Sequence, residues 1–318
     1  MKKKILFIGG SVNQTTQMLQ IAGHLGEYEL FFSPFYDDGV LGFAARSGLL
    51  EFSIMGKRRA ERTMELYHDH DVEIDVGGRL HAYDLVVTGT DLVVPRNIRG
   101  RRIVLVQEGM TEPETLLYHL ARSARWMPRW IAGTAATGLS RQYVRFCVAS
   151  EGYRELFIGK GVDRDTIEVT SIPNFDDCER YLDNDFEHRD YVLVCTSDNR
   201  ETFIYENRRK NIEKYLRLAD GRQLIFKLHP NERVGRAKGE IERFSPGSLV
   251  FAEGRTEEMI ANCTMMIAQY SSTIFVGSAL NKVVHCSLDP HVLKALTPLQ
   301  NKSAARRIAD VCRQVLEA

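Results

Sequence analysis

The chain has 318 residues, 42 basic and 42 acidic side chains, and a formal net charge of zero. That length suffices for two domains or one large one, and a content of 44% apolar and 26% charged residues excludes wholesale disorder. The charge balance excludes a protein that works mainly by coating nucleic acid, and six cysteines with no C-x-x-C pair exclude a zinc ribbon or a dense disulfide scaffold.

The first apolar run, Ile5-Leu6-Phe7-Ile8, follows three lysines. It is too short for the h-region of a signal peptide and ends in Gly9-Gly10. No apolar stretch of about 20 residues is present to span a bilayer. The expectation is a reduced, cytoplasmic protein. Further short apolar runs follow at 85–87, 103–106, 145–149, 166–170, 191–195, 224–227, 249–251, 265–268 and 283–286. Many are β-branched and apolar at consecutive positions, which suits strands buried on both faces of a parallel sheet. Helix-like stretches separate them, so the class is α/β, with two doubly wound halves. The acidic, weakly apolar segment 174–190 reads as the seam. It divides the chain into an N-terminal domain over 1–175 and a C-terminal domain over 186–318. Residues 303–318 read as an amphipathic helix, free to pack back on the first domain, with Ala305, Ile308, Ala309, Val311, Cys312 and Leu316 on its buried stripe.

Open doubly wound sheets bind ligands beyond the carboxyl ends of their strands. The segments following each strand are therefore the candidates. The first is the glycine-rich Gly9-Gly10-Ser11, running into Gln14. It is not G-x-G-x-x-G, so no dinucleotide fingerprint is present, but glycines and a helix start favour an anion there. The second is Gln107-Glu108-Gly109, where a carboxylate at a strand end is placed to act as a general base. The third is Lys227-Leu228-His229-Pro230. Pro230 fixes an extended backbone at His229, and Lys227 and His229 at alternate positions would point the same way, as two donors for a phosphate. The fourth is Ser271-Ser272-Thr273, three hydroxyls at a helix start where capping needs one. The fifth is Thr196-Ser197-Asp198-Asn199, with Ser197 a candidate nucleotide contact. A weaker, acceptor-side candidate is the Arg122, Arg125 and Trp126 cluster, where Trp with Arg at helical spacing can meet a membrane surface or an anionic acceptor. The strings Asp69-His70-Asp71 and Asp183-Asn184-Asp185 lie in polar stretches and read as solvated loops, not a metal centre.

Taken together, these segments resemble the GT-B superfamily of nucleotide-sugar enzymes. Lys227-Leu228-His229-Pro230 is similar to the histidine–proline motif of bacterial sialyltransferases and capsule polymerases, and to the K-x-H-P of CDP-glycerol glycerophosphotransferases. Ser271-Ser272-Thr273 resembles their serine motif, which binds donor phosphate. Gln107-Glu108-Gly109 resembles the acidic-acidic-glycine motif that supplies the sialyltransferase base, with Gln107 at the first acidic position. Ile172-Pro173-Asn174-Phe175-Asp176 and the second half also look like UDP-N-acetylglucosamine 2-epimerases, which are usually longer chains.

The resemblance implies two Rossmann-like domains facing across a cleft, and an inverting, metal-independent glycosyltransferase that builds a cell-surface polysaccharide or glycolipid. Glu108 and His229 would carry the chemistry. Lys227, His229, Ser271, Ser272, Thr273 and Ser197 would hold the donor phosphate and nucleotide. The substrates would be a CMP-, CDP- or UDP-linked sugar and a saccharide or lipid-linked acceptor, with no cofactor, no metal and no nucleic acid. Peripheral attachment to the inner membrane face and a homodimer stay open. The alternatives are a 2-epimerase, a polyol-phosphate transferase, and a non-catalytic nucleotide-sugar-binding protein.

Overall fold

A computed structural model describes residues 2–37, 57–123, 127–201, 205–269 and 271–318, without the side chains of 57–59. The chain forms two compact units, Met1–Asp176 with Pro298–Ala318, and Asp177–Thr297. The expected second domain, 186–318, thus differs from the observed unit in its last residues, which pack with the first unit.

In the first unit, strands β1 (Lys4–Gly9), β2 (Glu29–Pro34), β3 (Leu85–Thr88), β4 (Ile103–Val106), β5 (Arg145–Val148) and β6 (Ile167–Val169) form a parallel sheet in the order β2-β1-β3-β4-β5-β6. In the second, β7 (Val192–Cys195), β8 (Leu224–Lys227), β9 (Leu249–Phe251), β10 (Met265–Ala268) and β11 (Val283–His285) form a parallel sheet in the order β11-β10-β7-β8-β9. Both are doubly wound, Rossmann-like arrangements. The strand that sequence pattern alone does not mark is β2. Its apolar core is three residues long, and Pro34 closes it. Proline is tolerated there because β2 pairs with β1 on one side and, among the described residues, meets only an isolated bridge from Phe32 to Ile74 on the other.

The first unit carries α1 (Val12–Ala22), α2 (Lys57–Asp69), α3 (Leu116–Ser123), α4 (Glu151–Lys160) and α10 (Ala304–Glu317); the second carries α5 (Arg208–Ala219), α6 (Val234–Phe244), α7 (Thr256–Asn262), α8 (Thr273–Ala279) and α9 (Pro290–Leu296). Side-chain caps mark several starts: Ser11 accepts from Gln14 N–H, Ser150 from Tyr153 N–H and Asn207 from Lys210 N–H. α4 stops at Gly161, whose φ of 94° needs glycine.

The core of the first unit joins Ile5, Phe7, Met18, Ile21, Leu85, Val87, Val104 and Val106 to the stripe Ile308, Ala309, Val311, Cys312, Val315 and Leu316 of α10. At about 25 cal/mol per Å² of apolar surface, each large side chain of that stripe contributes roughly 1.5–3 kcal/mol. This burial holds the last helix on the first sheet. Arg102 donates to Val315 O at 2.7 Å, and Lys3 donates to Leu316 O, so cations close the helix at its negative end. The second core gathers Val192, Val194, Ile212, Phe226, Ile241 and Ile267. Among the described residues, no helix is long and apolar enough to cross a membrane.

Candidate functional site

In the first sheet the strand order reverses between β1 and β3, so its ligand crevice opens beyond the carboxyl ends of those strands. Gly9, Gly10 and Ser11 follow β1, Gly89 follows β3, and Glu108 follows the neighbouring β4. These segments meet. Ser11 Oγ donates to Glu108 Oε1, and Gln14 Nε2 donates to Glu108 Oε2 at 2.6 Å. Gln17, fully buried, donates from Nε2 to Glu108 O at 3.0 Å. A methyl group added at Gly10 or at Gly89 would strike the Gln14 side chain, so the two glycines give that side chain its place in the crevice. Asn174 fastens the start of α1 from the other side, donating to Asn13 O at 2.9 Å and accepting from Gln20 Nε2 at 3.1 Å.

Gln107 and Glu108 play opposite parts. Gln107 is buried; its Nε2 donates to Gly109 O at 2.8 Å and its Oε1 accepts from Ala149 N–H at 2.9 Å. It clips the turn after β4 to the end of β5. A carboxylate at this position would have no proton to give to the Gly109 carbonyl and would be buried without a counter-charge. Glu108, the next residue, is half-buried and turns to the crevice residues.

In the second sheet the order reverses between β7 and β10. Thr196 to Asn199 follow β7, Ser271 to Thr273 follow β10, and His229 follows β8. His229 Nδ1 accepts from Asn231 N–H at 3.2 Å, which puts the proton of the neutral ring on Nε2. Asp198 Oδ2 lies 3.6 Å from Nδ1 and accepts from Asn231 Nδ2 at 2.7 Å. The backbone N–H of His229 donates to Thr196 Oγ1 at 3.0 Å. Ser271 and Thr273 pair through their hydroxyls at 2.9 Å, and the Ser272 side chain does not cap α8. All three are half-buried.

Two candidates of this unit are engaged elsewhere. Ser197 donates to Glu206 Oε2 at 3.1 Å. Lys227 does not share a direction with His229. Its ammonium is buried and donates to Ala252 O at 2.9 Å, holding the turn after β9; burial pushes its pKa down. The alternation along a strand ends where the strand ends, and His229 lies beyond β8 in a proline-fixed turn. Cys195, at the end of β7, is half-buried, and desolvation pushes its thiol up to about 12. In the first unit, Arg122 is exposed on α3, while Arg125 and Trp126 lie outside the described residues. The aspartates of both D-x-D-like strings are exposed.

Sequence reasoning did not single out Glu232 or Arg208. The Glu232 side chain is 0% exposed, and it pairs with Arg208, which is itself 3.0 Å from Glu206. Glu232 accepts from the Thr196 hydroxyl and from His229 N–H at 3.3 Å. A buried carboxylate thus ties the turn after β7 to the histidine–proline turn. The only signal in the sequence is an acid three residues after His229, which by itself reads as surface charge.

No protein-family model matches the chain, and no curated protein does. Solved structures do. A putative UDP-N-acetylglucosamine 2-epimerase from Listeria monocytogenes superposes with a TM-score of 0.63 at 12% identity, covering 100% of this chain and 97% of its own. The UDP-GlcNAc 2-epimerase from Neisseria meningitidis, solved bound to UDP-GlcNAc, gives 0.55 at 10% identity over 98% of this chain and 100% of its own. A variant of the wall teichoic acid polymerase TagF gives 0.52 at 11% identity over 99% of this chain and 89% of its own. With these proteins the chain shares a GT-B-like fold of two Rossmann-like domains.

Proposed function

We propose that the chain is a nucleotide-sugar-dependent glycosyltransferase, inverting and metal-independent, acting in the synthesis of a cell-surface polysaccharide or glycolipid. One observation carries this reading. Each sheet presents its distinctive residues at the carboxyl end, next to its own reversal of strand order, and the two sets differ in chemistry: a carboxylate held by Ser11 and Gln14 in the first unit, a histidine and three hydroxyls in the second.

In this proposal the second unit binds the donor. His229 Nε2–H and the hydroxyls of Ser271, Ser272 and Thr273 donate to the donor phosphate and stabilise the charge that grows on it as the glycosidic bond breaks. Ser197 and Lys227 act indirectly, by shaping the turns after β7 and β9. The first unit binds the acceptor. Glu108 takes the proton of the acceptor hydroxyl as that oxygen attacks the anomeric carbon, a contribution of about 10²–10⁴ in rate for a positioned base. No metal or cofactor is assigned a role. The neighbours' names support a nucleotide-linked substrate; the base, CMP, CDP or UDP, is read by thermal shift across those nucleotides, since a ligand selective for the folded state raises its stability.

A 2-epimerase is the second reading, favoured by the fit to the epimerases above. Incubation with each nucleotide sugar, without acceptor, separates the two. Release of an epimerised sugar would refute the transferase. A non-catalytic binding protein would leave cellular phenotype and nucleotide binding unchanged in Glu108→Gln.

A further inference from the structure

Two segments of the first unit, 76–84 and 97–102, meet on its surface. Asn97 Nδ2 joins them at one end, donating to Gly77 O at 2.8 Å and to Gly78 O at 2.9 Å. At the other end Tyr83 and Asp84 line an open groove with Lys3, Arg101 and Arg102. Arg79, Arg99, Arg101 and Arg102 are exposed cations of this band, and Lys2 and Lys3, which precede β1, extend it. Among the described residues, no acid pairs with any of them. Arg99 donates to Val94 O at 3.0 Å, Arg102 to Val315 O at 2.7 Å and Lys3 to Leu316 O, and a carbonyl steadies a cation without cancelling its charge. Lys4 is set apart, because Glu29 lies 3.2 Å from it.

The acids that border the groove are Asp84 and Glu317. Residues 38–59 bring no net negative charge against the band, since Asp38 and Glu51 are outweighed there by Arg46, Lys57, Arg58 and Arg59. A chain that is neutral overall is thus locally cationic. The band also carries apolar tips. Val76 and Leu80 are 63% and 70% exposed, while Gly77 and Gly78 between them are buried. Gly78 has a φ of 58°, and a methyl group there would strike Leu6, so the turn packs its glycines inward and holds its large side chains out.

Unpaired arginines beside exposed aliphatic side chains match a surface with anionic groups above hydrocarbon. A second copy of the chain would set cations against cations. The backbone of a nucleic acid duplex would take the arginines and leave Val76 and Leu80 in water.

We infer that this band docks the protein on an anionic lipid bilayer, with the cations at the headgroups and Val76 and Leu80 below them. Lys2 and Lys3 precede β1, and Arg101 and Arg102 precede β4, whereas Ser11 and Glu108 follow those strands. Docking and ligand binding therefore use opposite ends of the same strands. The inference holds whichever reaction the chain catalyses.

The test is flotation of the full chain with vesicles of phosphatidylcholine alone or mixed with phosphatidylglycerol. At about 0.1 M salt it is expected to float with the mixed vesicles only, and to be released at about 1 M. Among the described residues, the side chains of Arg79 and Arg101 make no hydrogen bond, so reversing both leaves the fold in place. Arg79→Glu with Arg101→Glu is expected to lower partitioning at least about 100-fold, and Leu80→Ser alone about ten-fold. Lys210→Glu, at an exposed cation of α5, is expected to float as the unaltered chain does. Absence of binding to mixed vesicles, equal binding to both kinds, or flotation unchanged by the double reversal would overturn the inference. So would an equal loss in Lys210→Glu. Flotation indifferent to Leu80→Ser, with a short DNA duplex displacing the vesicles, would assign the band to nucleic acid instead. A dimer that the double reversal dissolves, without vesicle binding, would assign it to a second copy.

Discussion

Replacing Glu232 tests whether a buried charge holds the histidine–proline turn. Its carboxylate is fully buried and accepts from Arg208, from the Thr196 hydroxyl and from His229 N–H at 3.3 Å. Removing one partner of a buried ion pair costs about 3–5 kcal/mol, since the other charge stays behind unpaired. Here Arg208 keeps Glu206 at 3.0 Å, so Glu232→Ala is expected near the lower end, about 3 kcal/mol. Glu232→Gln still accepts hydrogen bonds but loses the charge, and is expected to cost about 1–2 kcal/mol. Urea unfolding measures both. With a slope of roughly 1–1.5 kcal/mol per M for a unit of this size, the alanine variant shifts the midpoint by about 2–3 M. The probes separate the units. Both tryptophans, Trp126 and Trp130, fall in the first unit, so their fluorescence follows it, while circular dichroism follows both. The loss is expected in the dichroism and not in the fluorescence. Unfolding free energies within about 0.5 kcal/mol of the unaltered chain for both variants, on the scale of ordinary surface changes, would refute the claim that this charge organises the turn.

Gln107→Glu removes the donor to Gly109 O and buries a charge, so it is expected to destabilise by about 3 kcal/mol without raising sugar transfer; a stable and more active variant would show that position 107 can carry the base. Glu240 forms a two-point pair with Arg200, at 2.9 Å for each contact, and the hydrogen bond from Arg200 lowers its pKa below 4.5. A depressed carboxylate contributes stability that is present above its unfolded pKa and lost as pH falls through the folded one, so Glu240→Gln is expected to flatten the acid limb of the stability curve below about pH 4.5. Lys227 runs the other way. Burial lowers its pKa from 10.5, so the unfolded chain holds the proton more tightly, and the unaltered chain should gain stability relative to Lys227→Met as pH rises toward 10.5. Parallel melting curves at stepped pH check both, and pH-independent differences would contradict the assigned causes.

The α/β class, the two parallel sheets and most strand positions were legible in the sequence, because a strand buried on both faces reads as a consecutive apolar run. β2 was not, since half-buried Glu29 and Leu30 and the closing Pro34 break such a run, and an edge strand has fewer constraints on its residues. The amphipathic stripe of α10 was also legible. Which sheet it covers was not, because an apolar stripe states that a helix is buried and not by what; the packing of that stripe on α1, β3 and β5 decides that.

At the candidate site, strand-end chemistry could be located from sequence alone: Glu108, His229 and the hydroxyls all follow strands, where doubly wound sheets place ligands. Their partners could not. Ser11 and Gln14 are about a hundred residues from Glu108, and the spacing of Lys227 to His229 suggests a ligand contact although its ammonium donates to Ala252 O. Gln107 and Glu108 are adjacent in sequence and differ by an amide, yet one is a buried clip and the other the crevice carboxylate. Residue type and spacing determine which groups reach the carboxyl end of a strand. Whether a group there is spent on its neighbours or left for a ligand depends on contacts between segments far apart in the chain, and only tertiary structure sets those.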